Sequence, residues 1–490
     1  MRRTKIVATL GPATDSYEKV RDLCRAGMDV ARLNFSHGDH ETHRRYFSWV
    51  RRASEETGRN IAVLQDIQGP KLRVGRFADG AIELDPGDQV TITTDDESLG
   101  DEDLIPIDYP YLTEDLEEGH RVVLADGLIV LEVTSVGPFG ATAVVKVGGT
   151  LTDRKGVACP DTDLRTPSVT EKDREDLALG RELGVDYVAA SFVRTGGDVR
   201  QVKELAGDVP VIAKIELKVA YDNLDEILEE ADGVMVARGD LGVQLALERL
   251  PIIQADILAR TNAAGRLAIT ATEMLESMTH APRPTRAEVT DVANAVLSGT
   301  DAVMLSGETA VGEYPTRTVE TMARICAAAE TSPMARDQPV PFVGAVNRVA
   351  SAVAQAATEA ATNLGIGTIV AFTESGSTAR LISKYRPAAS VVAFSASPET
   401  LRRMALYWGV TAYPFERRDY TDHEIAAAEK FLEREKLCHR GDLVVMVAGI
   451  PPNQRSSTNL MKIHLIGERE TGVLSQRSRR RSPEVGGLGV

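Results

Sequence analysis

The sequence predicts an α/β protein: a TIM (β/α)8 barrel with an inserted all-β lid domain and a C-terminal α/β domain. Three observations predict it. Eight short, nearly continuous apolar runs alternate with helical patterns, as parallel strands covered by helices do. About 100 residues of alternating apolar and polar character interrupt the third unit. A smaller set of strands and helices follows a proline-containing linker. The length, 490 residues, exceeds one ordinary domain and implies two to four. A hydrophobic fraction of 43% suffices for large cores and excludes a disordered or fibrous chain. With only 5% aromatics and abundant Val, Ile, Leu, Ala and Gly, α/β is favoured over an all-β sandwich.

The eight runs are 5–11, 30–36, 61–67, 187–193, 211–216, 233–239, 267–274 and 302–308. Helical patterns lie between them at 15–26, 40–57, 171–183 and 315–330, with Asp15 and Thr170 as N-caps. Asp173 stands at the capping-box offset from Thr170, where Glu or Gln is usual, so the box is a weak signal. After Asp66-Ile67-Gln68-Gly69-Pro70 the pattern changes. Segments 89–93, 120–124, 128–133 and 143–147 alternate in polarity between Gly and Pro turns, which reads as a small antiparallel domain. The acidic stretch 95–103 reads as a solvated loop. A linker around 331–341 ends the barrel, and strands at 368–373, 391–395, 443–448 and 461–466 build the last domain. The expected division is 1–70 and 168–333 for the barrel, 71–167 for the inserted β domain and 340–470 for the C-terminal α/β domain. Residues 471–490 are expected to form a disordered tail containing Arg477, Arg479, Arg480 and Arg481.

The net charge of −16 argues against a nucleic-acid partner, although a local Arg and Lys cluster can still serve an anionic substrate. No apolar run approaches the ~18 residues of a membrane span. Met1-Arg2-Arg3-Thr4-Lys5 runs straight into a strand without the apolar stretch of a signal peptide. Cys24, Cys159, Cys326 and Cys438 are far apart, as expected of reduced thiols in a cytoplasmic protein.

Active-site residues of such barrels project from the C-terminal strand ends. Strand two ends in Arg32-Leu33-Asn34-Phe35-Ser36-His37, and strand three in Asp66, with Lys71 and Arg73 just beyond. Strand four ends in Ser191-Phe192-Val193-Arg194, strand five in Lys214-Ile215-Glu216 and strand six in Arg238-Gly239-Asp240. Strand seven carries Thr270, Thr272 and Glu273, and strand eight Ser306-Gly307-Glu308-Thr309. Alternation points Lys214 and Glu216 to one face, and likewise Arg32, Asn34 and Ser36. Any one pair is explained by a structural ion pair. Charge on six strand ends together calls for a metal or a ligand. Glu216 and Asp240 suit Mg2+, Arg32 and Arg73 suit bidentate phosphate binding, and Lys214 is a cation where negative charge develops. Together they indicate Mg2+-assisted chemistry on a phosphorylated anion. No P-loop or Rossmann fingerprint is present.

These residues carry a resemblance. Over about residues 4–468 the chain resembles the pyruvate kinase family, of bacterial type. The segments are KIVATLGP from Lys5, ARLNFSHG from Ala31, DIQGPKLRV from Asp66, KIE from Lys214, MVARGDLG from Met235, ATEMLESM from Ala271, PTRAE from Pro284 and MLSGETAVGEY from Met304. The resemblance implies phosphoryl transfer from phosphoenolpyruvate to ADP, giving pyruvate and ATP, with Mg2+ or Mn2+, in a cytoplasmic homotetramer. It implies Glu216 and Asp240 as divalent-metal ligands and Lys214 as the cation facing the transferring phosphoryl and the enolate. Arg73 lies near the phosphoryl, Arg32 on the substrate and nucleotide side, and Thr272 near the carbon that is protonated. Gly239 and Asp240 contact substrate. Asn34, His37, Arg73 and Lys155 contact nucleotide, and lid closure excludes water.

Asn34, Ser36 and Asp66 match the family's K+ site. Potassium-dependent members carry Glu where this chain has Lys71, whose ammonium is expected to replace the ion and make K+ dispensable. Thr373, Ser375, Gly376, Ser377 and Thr378 open a helix after a strand and resemble a loop that binds the phosphate of an allosteric effector, a sugar phosphate or AMP; on physics alone they are an ordinary N-cap. Residues 451–460 are expected near that loop. Two departures stand out: Glu273 replaces the usual Gln, and Asp161 replaces the Gly of a lid turn. A Mg2+-dependent carbon–carbon lyase and a non-catalytic metabolite sensor remain as alternatives. Lys155 and Arg73 speak against the first; Lys214, Glu216, Asp240 and Thr272 speak against the second.

Overall fold

The computed structural model describes residues 2–94, 98–138, 140–336, 347–416, 421–450 and 458–467. Eight parallel strands close a barrel: β1 (Lys5–Thr9), β2 (Val30–Asn34), β3 (Ala62–Asp66), β4 (Tyr187–Ala190), β5 (Val211–Ile215), β6 (Gly233–Ala237), β7 (Leu267–Ala271) and β8 (Ala302–Leu305). Each pairs with its neighbours in sequence, and β8 closes on β1. Their near-continuous apolar character follows from this, because one face packs in the barrel and the other under the helices.

The helices follow the expected patterns with one correction. Ser16, not Asp15, caps the first helix, Tyr17–Ala26, by accepting the Lys19 N–H; Asp15 instead pairs with Arg45 at 3.1 Å. The weak box at Thr170 does form. The Thr170 hydroxyl accepts the Asp173 N–H at 3.1 Å, and the Asp173 carboxylate accepts the Thr170 N–H at 2.9 Å.

The insertion between β3 and β4 is a six-stranded sheet plus a two-stranded one. It is not wholly antiparallel: Gln89–Thr93 pairs with Leu104–Pro106 in parallel. The alternating pattern missed four short strands, Ala81–Leu84, Leu104–Pro106, Gly149–Thr152 and Val157–Ala158. The C-terminal domain has five strands rather than four, the addition being the edge strand Val410–Pro414. Residues 95–97 of the acidic stretch, 337–341 of the linker, 451–457 and the tail 471–490 with its arginines lie outside the described residues. Among the described residues, no helix is long and apolar enough to cross a membrane. All four cysteines are free and buried.

The base of the barrel shows a fourfold repeat. An aspartate immediately precedes each even-numbered strand: Asp29, Asp186, Asp232 and Asp301. Each donates its own N–H to a carbonyl of the preceding odd strand (Ile6, Val63, Val211, Ala268), at 2.9 Å in every case. Each carboxylate then accepts the N–H of that same residue at 2.8–3.0 Å. Four reciprocal brackets thus tie β1 to β2, β3 to β4, β5 to β6 and β7 to β8.

The carboxylates need cations, because a buried charge must be paired. Asp29 takes Arg2 at 2.7 Å and Arg59 at 3.0 Å, while Asp232 takes Lys203 at 3.1 Å. The other two recruit the C-terminal domain. Asp186 holds Arg402 and Arg51, each at 2.8 Å; Asp301 holds Lys384 and, as an ion pair at 2.9 Å, Arg386. Lys384 and Asp301 are fully buried. Burial opposes ionisation of Asp301, but the Lys384 and Arg386 charges outweigh it and hold the carboxyl below its usual range. Two cations share one anion there, so burial takes Lys384 down to about 8 in spite of Asp301. Tyr187 adds a hydrogen bond to the Arg403 carbonyl at 2.7 Å, and the apolar interior of the barrel runs on into the core of the C-terminal domain.

Asp301→Asn is expected to destabilise the protein by about 3–5 kcal/mol, because it leaves Lys384 and Arg386 without their carboxylate. Asp232→Asn, at a partly exposed site, should cost clearly less; denaturant midpoints of the two variants make the comparison. The Asp301 contribution is complete above the unfolded carboxyl value of about 4 and is lost as pH falls below it, so the parent and Asp301→Asn curves should converge in acid.

Candidate active site

A chain of buried charges links three strand ends at the opposite mouth. Lys214, on β5, places its ammonium 2.8 Å from Glu216 Oε1, 2.7 Å from Ser191 Oγ and 3.3 Å from Asp66 Oδ1. Asp66 Oδ2 accepts Arg32 Nε at 2.7 Å, and Arg32 also reaches the Thr9 hydroxyl at 3.0 Å. Asp66 and Glu216 are each 1% exposed. Alternation along β5 therefore does bring Lys214 and Glu216 to one face. On β2, which ends at Asn34, Ser36 lies in the turn beyond, and its N–H is accepted by Asn34 Oδ1 at 3.2 Å.

The charges follow from these contacts. Burial disfavours the Lys214 ammonium, but Asp66 and Glu216 outweigh it and hold its pKa above the ordinary lysine value. Burial likewise opposes ionisation of Asp66, which Lys214 and Arg32 hold below the usual carboxylate range. Glu216 is the uncompensated partner. Burial pushes it up to about 7, with the Lys214 charge opposing and the Asp240 charge adding.

Asp240 sits in the first turn of the helix Arg238–Gln244 that follows β6. The Gly239 N–H donates to Thr272 Oγ1 at 2.8 Å, and that hydroxyl donates to the Ala271 carbonyl at 2.7 Å. Thr272 and Glu273 both have left-handed backbone, φ 65° and 54°, a costly arrangement for two consecutive side-chain-bearing residues. Arg238 holds this turn. Its guanidinium donates to the carbonyls of Ala271 and Thr272 and forms a two-pronged pair with Asp291. Glu273 is exposed, so the extra carboxylate faces outward beside Thr272.

Lys71 does not meet Asp66, whose oxygens are taken by Arg32 and Lys214. Its ammonium lies 3.2 Å from Asp240 Oδ1 and 3.9 Å from Asp126 of the lid. Arg73 donates to the Arg154 carbonyl at 3.0 Å, within the lid. Lys155 is exposed, its carbonyl accepting the Val74 N–H. The imidazole of His37 is held below its usual pKa by burial and by the charges of Arg73, Arg32 and Lys71. A cavity of about 570 Å3 separates lid from barrel, lined by Lys71, Asp126 and Gly156 on one side and Phe192, Glu216 and Asp240 on the other. That is the size of a small-molecule site.

Among the described residues, no group of three or more His, Cys, Asp or Glu is arranged to hold a metal. Glu216 and Asp240 alone nevertheless fit a Mg2+-type ion, which keeps water and phosphate oxygens as its remaining ligands. Burial, with the Asp240 charge adding, raises Glu216, and a cation between the two carboxylates would favour its ionised form.

In the C-terminal domain, Gly376 (φ 82°) caps the helix Ser377–Lys384. Ser375 and Ser377 are exposed and bonded to each other at 3.2 Å. Thr378 is turned inward, 2.7 Å from the Thr458 hydroxyl, and the Thr373 hydroxyl is buried with no hydrogen-bond partner among the described residues.

The site contains residues to which the initial reading of the sequence gave no role: Thr9, Asp126, Ser191, Phe192 and Arg238. Arg238 stands inside the MVARGDLG segment and Ser191 at a strand end, so position was the available signal.

The chain matches two family models, "Pyruvate kinase, barrel domain" over residues 1–319 and "Pyruvate kinase, alpha/beta domain" over residues 351–464. The pyruvate kinase of Geobacillus stearothermophilus is 44% identical over 475 residues, covering 95% of this chain and 81% of that protein. The pyruvate kinase of Mycobacterium tuberculosis is 44% identical over 472 residues, covering 95% of this chain and 99% of its own. A crystal structure of a pyruvate kinase from Cryptosporidium parvum superposes with a TM-score of 0.87 at 36% identity, covering 95% of this chain and 96% of that one.

Proposed function

The chain belongs to the pyruvate kinase family and is a phosphotransferase, and we propose that it moves the phosphoryl group of phosphoenolpyruvate to ADP with Mg2+ or Mn2+ held by Glu216 and Asp240. The observation that carries the reading of the site is the buried chain Arg32–Asp66–Lys214–Glu216, whose Glu216 end lines the lid cavity. Lys214 stays protonated, so a fixed cation stands where charge builds on the transferring phosphoryl and the enolate. Arg32 is oriented by Asp66 and Thr9 and presents its guanidinium from β2. The bound divalent ion supplies Lewis-acid charge to the phosphoryl oxygens. The Thr272 hydroxyl, fixed by Gly239 and Ala271, is the group we assign to the protonation of the enolate carbon. Arg73 and Lys155 at the lid, with Asn34 and His37, are the nucleotide side, and lid closure over the cavity excludes water.

Lys71 brings a positive charge into the cleft but rests on Asp240 rather than Asp66; its standing in for the monovalent ion of the Asn34, Ser36 and Asp66 site rests on the resemblance. The Ser375–Ser377 turn, with exposed hydroxyls at a helix start, supports a phosphate-binding role and control by a sugar phosphate or AMP.

Pyruvate should form from phosphoenolpyruvate and ADP with Mg2+ in a coupled assay. Lys214→Met should lower kcat by roughly 10^3-fold while leaving the circular-dichroism spectrum unchanged; retained turnover would remove the charge-stabilising role. In buffers free of Na+ and K+, added K+ should change the rate by less than about twofold; a strong requirement would count against Lys71. Ser377→Glu should abolish activation by a phosphorylated effector through repulsion; unchanged activation would move the effector elsewhere.

A further inference from the structure

We propose that Ser191–Phe192, just beyond β4, is a positioning unit that aims Lys214 and Glu216 at the substrate. This rests on the reading of Lys214 given above. Ser191 is 4% exposed. A hydroxyl has one proton and two lone pairs. Of the two acceptors in reach of the Ser191 proton, the Ile67 carbonyl at 2.7 Å is nearer than Asp66 Oδ1 at 3.3 Å; donation to Ile67 leaves the oxygen as an acceptor facing Lys214 Nζ at 2.7 Å. An ammonium has three protons, and those of Lys214 meet Ser191, Glu216 and Asp66 at 2.7, 2.8 and 3.3 Å. The longest contact, to Asp66, is the one a substrate oxygen displaces; Ser191 and Glu216 keep the other two and fix the direction of the third.

The next residue serves the carboxylate. Phe192 has φ 55°, a left-handed conformation unusual for a large side chain, and this turns its N–H onto Glu216 Oε2 at 2.6 Å. Strain at such a position persists only where its surroundings enforce it. Gly69, at the start of the insertion, helps enforce it. It has φ 66°, and a Cβ there would stand 2.8 Å from the Ser191 carbonyl oxygen. The chain entering the lid therefore abuts the same two residues that aim the lysine and the glutamate. A lysine has four rotatable carbons, and a misplacement of about 1 Å at a reacting centre costs on the order of 10^2-fold in rate.

The test uses the full-length chain, with steady-state kinetics and, independently of turnover, Mn2+ binding to the free enzyme by electron paramagnetic resonance. Ser191→Ala removes the acceptor to Lys214 but leaves the Phe192 N–H on Glu216. It should lower kcat by roughly 10- to 100-fold while the KM for ADP and the Mn2+ affinity stay within about twofold of the parent. A kcat within about twofold of the parent overturns the proposal. So does a loss of Mn2+ affinity in step with kcat, which marks a general structural role. Lys214→Met, measured alongside, separates the two readings. If it is inactive while Ser191→Ala is fully active, only the positioning role fails. If it is fully active, the role of Lys214 fails and this inference with it.

Discussion

The site depends on the pairing of the Lys214 ammonium. A parallel barrel offers its mouth little water, and a lone cation there would lose its proton or break the fold. Three acceptors from three different strand ends prevent this, and each does a second task. Asp66 orients Arg32, Glu216 faces the metal position, and Ser191 ties β4 to the Ile67 carbonyl just beyond β3. Moving any one of these shifts the others, so the register of β2 to β5 and the geometry of the site are one constraint.

The two ends of the barrel solve the same electrostatic problem in opposite ways. At the base each aspartate sits in a repeating bracket and is matched by cations, so its charge is spent on holding strands and domains together. At the mouth the balance is less complete: Arg32 and Lys214 pair with Asp66 and Glu216, and burial, with the Asp240 charge adding, still raises Glu216. Lys71, leaning from the lid side onto Asp240, partly answers it. A divalent ion completes the count and brings phosphate oxygens with it, because two carboxylates fill only part of an octahedral shell.

Much of this was legible in the sequence because parallel-strand periodicity is strong and strand ends are the functional end of such barrels. The fold class, the interruption after Asp66 and the clustering of Arg32, Asp66, Lys214, Glu216 and Asp240 all followed from those two facts. Short strands such as Leu104–Pro106 left no periodic trace, since three residues barely complete one alternation. The position of Lys71 was not legible either, because a long flexible side chain chooses among carboxylates by tertiary geometry. Nor was the inward turn of Thr378, which depends on a partner 80 residues away. The base aspartates were legible and overlooked. Gly27-Met28-Asp29, Gly184-Val185-Asp186 and Gly299-Thr300-Asp301 share one pattern immediately before a strand, and Ala231-Asp232 is its shortened form.

That pattern bears on modularity. Two of its four members, Asp29 and Asp232, draw their cations from the barrel itself; the other two borrow from the C-terminal domain. A barrel cut from this chain would retain Arg51 for Asp186 but leave Asp301 facing neither Lys384 nor Arg386. The catalytic and C-terminal parts are separate units of sequence but not interchangeable ones. A graft onto another barrel must carry over an acceptor beneath β8, or the transplanted lysine arrives with nothing to neutralise it.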